Sequence, residues 1–100
     1  MTMDKKIIDI EIDGGILFLI GHIIETDSII GISPLWIKQP SIDTKRMYYY
    51  IYTNYMSIEI PLSFEIYDEG QLKGAQDFRN IYFKTAAAVE TILRARRQLS

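Results

Sequence analysis

The chain has no cysteine, one tryptophan, one histidine and three prolines among its 100 residues. Without cysteine there are no disulfides, no thiolate metal ligands and no thiol nucleophile, which fits a reducing compartment such as the cytoplasm. No serine lies in a Gly-x-Ser-x-Gly turn, so a serine-hydrolase elbow is absent too. Cations are not in excess: 11 Lys and Arg stand against 13 Asp and Glu, a formal charge of -2. That balance excludes binding to long nucleic acid through many phosphate contacts. Tyrosine aside, the longest apolar run is Ile16 to Ile20, far short of a membrane span. Met1-Thr2-Met3-Asp4-Lys5-Lys6 resembles the basic start of a signal peptide, but Asp9, Glu11 and Asp13 break the apolar core that would have to follow.

What the chain has in quantity is isoleucine, 19 residues, and tyrosine, 7. Isoleucine is β-branched and suits a pleated sheet. Ile8, Ile10 and Ile12 alternate with Asp9, Glu11 and Asp13, the pattern of a strand with one wet face. Asp13-Gly14-Gly15 then supplies a tight turn. Ile16 to Ile20 reads as a strand buried on both faces, interrupted by a bulge or bend at Gly21-His22 and continuing through Ile23-Ile24 to Glu25. A third strand, Ile29 to about Lys38, is broken at Ser33-Pro34. Gln39 to Arg46 reads as a loop.

Met47 to Tyr55 holds five of the seven tyrosines. Read as a strand, it places Tyr48, Tyr50 and Tyr52 on one face and Tyr49 and Ile51 on the other. Asn54 sits where a reversal falls. Met56, Ile58, Ile60, Leu62 and Phe64 alternate with polar residues and Pro61, which predicts a strand at an edge or near its end. From about Ala75 the period changes: Phe78, Tyr82, Thr85, Val89, Ile92 and Arg96 advance by three or four residues, as one face of a helix does. About 24 residues of helix measure about 36 Å. The expected architecture is a single α+β domain over 1–100. A curled antiparallel sheet or partial barrel of about five strands (about 5–67) precedes one long C-terminal helix (about 75–98).

Few constellations carry chemistry. His22 sits among isoleucines and reads as a structural histidine rather than a general acid or base. His22, Glu25 and Asp27 make a poor metal set, because the first two point to opposite faces of a strand. Asp9, Glu11 and Asp13 read as a solvated strand face. No metal or other cofactor is expected, and no convergent acid, base and nucleophile points to an enzyme. Cation beside aromatic is how proteins hold nucleotides, by ring stacking and a charge-assisted bond to phosphate. On that logic Arg46, Tyr48, Tyr50 and Tyr52, with Arg79 and Lys84, are candidate ligand-binding residues. Arg94, Arg96 and Arg97 also suit the helix dipole at its C-terminal end. Phe83 and Ala87, four residues apart on the far side of the helix, together with Arg94 and Trp36, are candidate interface residues for a homo-oligomer.

The segment His22-Ile23-Ile24-Glu25-Thr26-Asp27-Ser28-Ile29-Ile30-Gly31-Ile32, followed by the Tyr48 to Ile60 hairpin and a late helix, resembles small phage and bacterial proteins. It is similar to the flagellar FlbD-like pattern of short isoleucine-rich strands before a helical tail. This resemblance implies the fold and carries over no functional residue. In size and composition the chain is also similar to phage anti-defence proteins that sequester cyclic nucleotides as oligomers. That likeness implies a non-enzymatic, self-associating module holding a small anionic ligand. The competing expectation is a protein-interaction adaptor or inhibitor that docks through its aromatic sheet face.

Overall fold

The computed structural model describes residues 10–13, 15–66 and 69–99. It is α+β, with antiparallel strands first and one long helix last, and the sheet does not close into a barrel. The readings placed on Met1 to Asp9, Gly14 and the side chains of Glu11 and Asp13 lie outside what is described.

Strands β1 (Ile10–Asp13), β2 (Ile16–Leu19) and β3 (His22–Glu25) form a meander. Gly15, at φ 80, serves the first turn as its sequence predicts. The second turn differs from expectation. Instead of a bulge, Ile20 and Gly21 make a two-residue reversal, with φ 44 and 80, that pairs Leu19 with His22. Two consecutive positive φ values suit the twist of a tight hairpin. An isoleucine there is unusual, because its branched side chain disfavours that region. Its side chain is held by packing against the core.

A 3-10 turn at Thr26–Ser28 leads to β4 (Ile29–Ile32), β5 (Trp36–Ser41), β6 (Thr44–Thr53) and β7 (Ser57–Glu65). β6 is the centre: β7 flanks one side, while β4 and β5 pair with successive parts of its other side. The expected third strand is therefore one broken edge. Ser33 spans the break. Its N–H donates to the Tyr50 carbonyl at 2.9 Å, and its Oγ accepts from the Tyr50 N–H at 2.8 Å. The side chain thus replaces a ladder bond that the kink before Pro34 removes. The Gln39 to Arg46 segment is a hairpin rather than a loop, with Ser41 opposite Thr44 and a register shift after Lys38. Pro40 and Pro61 both lie on strands with a free edge, as a missing N–H requires.

Helix α1 (Glu69–Leu99) has 31 residues, about six more at its start than the sequence period predicts. At 1.5 Å per residue it is about 46 Å long, close to the 49 Å longest extent of the molecule. It buries Ala75, Phe78, Ile81, Thr85 and Val89 against Met47, Tyr49, Ile51, Ile60 and Phe64. Leu17, Leu19 and Ile24 of the meander join the same core. Arg96 ties the helix end to the turn, donating to the carbonyls of Ile29 and Thr26, both at 2.8 Å. Among the described residues no helix is long and apolar enough to cross a membrane.

Candidate functional site on the open sheet face

β6 alternates without error from Met47 to Thr53. Met47, Tyr49, Ile51 and Thr53 are buried under α1, whereas Tyr48, Tyr50 and Tyr52 are half-buried on the opposite face. The register brings Trp36 of β5 directly beside Tyr48. The ring centroids of Trp36 and Tyr48 lie 5.6 Å apart, those of Trp36 and Tyr50 5.9 Å, and those of Tyr48 and Tyr50 6.1 Å. Tyr52 continues the row, nearly parallel to Tyr50 at 6.4 Å. Tilted and edge-on contacts of this kind hold aromatic rings in place and stabilise them beyond area burial.

Charge on this face is organised around Glu59. β7 places it opposite Tyr50, where its carboxylate accepts a bond from the Tyr50 hydroxyl at 3.0 Å and pairs with Arg46. The Arg46 guanidinium also lies 5.4 Å from the centre of the Tyr48 ring, within cation–π range. The bond to Glu59 raises the Tyr50 pKa, since it is made by the protonated phenol. Lys38 is opposite Arg46 in the ladder and adds a second cation at that end. Sequence reasoning had no part for Glu59. The β6–β7 register identifies it as the partner of both Arg46 and Tyr50.

The structure brings Arg46, Tyr48, Tyr50 and Tyr52 together and adds Trp36, which the sequence suggested as an interface residue. Arg79 and Lys84 stand apart from this row, on α1 across the sheet. On the helix, Phe83 is 65% exposed and Ala87 is exposed beside it, while Arg94 pairs with Glu90 one turn before. His22 and Glu25 lie three apart in β3 and so face opposite ways. On the core side, burial pushes the Tyr49 phenol up to about 12.

Compared with protein-family models, with curated proteins and with solved structures, the chain gives no significant match.

Proposed function

We propose that the chain is a non-enzymatic binding module that self-associates through the open aromatic face of β5, β6 and β7. The observation that supports this reading is the row Trp36, Tyr48, Tyr50 and Tyr52, lying on the side of the sheet that α1 leaves uncovered. Trp, Tyr and Arg dominate the energetic centres of protein interfaces. The rings are already packed on one another, so little side-chain freedom remains to be lost on docking. Arg46 and Glu59 sit side by side, and a two-fold axis would set the cation of one copy against the acid of the other, as a self-complementary patch requires. Phe83 and Ala87 offer a second, smaller contact on the helix. The absence of cysteine accords with work in the cytoplasm.

A second reading has a specific support: Lys38 and Arg46 at one end of the aromatic row suit the phosphate of a nucleotide stacked on the tyrosines. In its sharpest form this is a phage-type cyclic-nucleotide sponge acting against host defence. Glu59 weighs against it, because the acid already neutralises Arg46.

Sedimentation velocity over a wide concentration range tests the first reading. The wild-type chain should form a dimer or larger assembly, and Trp36→Ala or Tyr48→Ala should shift it to monomer with the circular dichroism spectrum intact. A monomer at every concentration sinks self-association and leaves docking onto a different protein. A nucleotide-induced rise in Tm that Arg46→Gln abolishes would favour the second reading.

A further inference from the structure

The inward face of β6 begins with a cation. Lys45 precedes Met47 by two residues, so it points to the helix side of the sheet, and its ladder partner is the buried Phe64. Across from it, α1 contributes Arg79, one turn beyond Ala75. Between them the two layers splay and leave a cavity of about 210 Å³, lined by both cations and floored by Met47, Phe64, Ala75 and Ile37. Among the described residues no acidic one lines it. Among the described residues neither Lys45 nor Arg79 has an ion pair, whereas Arg46 and Arg94 both do. Two cations and Gln76 thus share a recess with an apolar floor, whose low dielectric strengthens the pull on an anion.

We propose that this recess binds a small organic acid, its carboxylate between Lys45 and Arg79 and its apolar body on Met47, Phe64 and Ala75. Guanidinium matches carboxylate in a two-bond fork, and lysine adds a point charge from the sheet side. The size sets the class of ligand. Pockets for drug-sized molecules run to roughly 300–1,000 Å³, so this one suits a compact acid better than a nucleotide. The site lies across the sheet from the aromatic row and is independent of self-association.

The test is a heteronuclear NMR titration of the intact chain with sodium benzoate, benzyl alcohol and inorganic phosphate. Benzoate should move the amides of Met47, Phe64 and Ala75 and the Arg79 side-chain resonance along one saturable curve. Arg79→Gln and Lys45→Gln should each weaken that binding by about tenfold, the scale of one charge-assisted bond. Among the described residues neither side chain has a hydrogen bond or ion pair, so unchanged amide positions elsewhere will certify the fold of each variant. Benzyl alcohol binding as well as benzoate would overturn the role of the cations. Phosphate binding as well as benzoate would reduce the recess to a simple anion patch and overturn the organic-acid assignment. Absence of saturable shifts with benzoate overturns the site itself.

Discussion

The polar contact between Tyr49 and Thr85 in the core fixes its own direction, and that direction can be tested by stability. Thr85 Oγ1 lies 2.7 Å from the Ile81 carbonyl, an atom that can only accept, so the threonine proton is committed there. The 3.3 Å contact between Tyr49 and Thr85 must then have the phenol as donor. Tyr49→Phe removes that donor and orphans nothing, since the threonine still donates to Ile81. The cost is one hydrogen bond at the long end of the range, ~0.5–1 kcal/mol. Thr85→Val removes the acceptor and leaves a phenol O–H buried at a position of 0% exposure. That cost includes desolvation and should reach ~2 kcal/mol. With both changed, no polar group is stranded, and the double variant should be destabilised by ~1 kcal/mol or less, well under the sum of the singles.

Urea unfolding of the four proteins, with m-values checked for constancy, reads this cycle directly. Additive single effects, or a Tyr49→Phe cost exceeding that of Thr85→Val, would refute the assigned direction of the bond. The size of the asymmetry matters because Tyr49 packs edge-on to Tyr82 at 4.9 Å and against Phe78 at 5.6 Å. It is the side chain on which the helix and the sheet register against each other.

The same phenol makes stability fall in alkali. Unfolded, it loses its proton near pH 10, but folded only near 12. Below the lower value both states are protonated and its contribution is intact. As pH rises through this window the unfolded chain binds fewer protons, and ~3 kcal/mol is lost by its upper end. Urea midpoints measured across that window should fall more steeply for wild type than for Tyr49→Phe, and parallel slopes would contradict the assignment. Gly74 offers a gain instead: it lies inside α1, and a Cβ there would meet nothing within 4 Å. Gly74→Ala should stabilise by ~0.5–1 kcal/mol, raising Tm by a few degrees, and a loss of stability would mean that the helix start depends on the glycine.

Legibility in the sequence followed the strength of each local signal. The alternation from Met56 to Phe64 located β7 because every second side chain obeys one period, and the change of period at Ala75 located the helix. Glycines concealed the helix start: Gly70 and Gly74 punctuate like a loop, yet lie within α1, where the cost of each is only ~1 kcal/mol. Isoleucine concealed the reversal at Ile20–Gly21, since nothing in its side chain signals a positive φ. Gln39-Pro40-Ser41 read as a loop for the opposite reason, turn-type residues that in fact occupy an edge strand. The two faces of the tyrosine strand were legible from the period alone. That Arg79 and Lys84 fall on the far side of the sheet was not, because the side on which a helix packs is decided by which strand face is the more apolar. Tyr48, Tyr50 and Tyr52 nearly match Tyr49 and Ile51 in that respect. Lys45, two residues before Met47, shares the inward parity of that strand.

The near-equality of the two faces of β6 gives the outward charges a structural role. A slip of one residue in the pairing of a strand exchanges its faces, and here Tyr48, Tyr50 and Tyr52 would replace Met47, Tyr49 and Ile51 in the core. Hydrophobicity alone therefore discriminates weakly between the two registers. What separates them is polar: a slip would carry Arg46 to the helix side, away from Glu59, and would draw Tyr50 away from the same acid. The slipped register therefore loses both the ion pair and the phenol's bond, an amount that ring packing does not restore. Glu59 is thus the residue through which one register is chosen, and the same choice sets the tyrosine row outward with its rings braced. Specifying the fold and preparing the open face are one physical act in this chain.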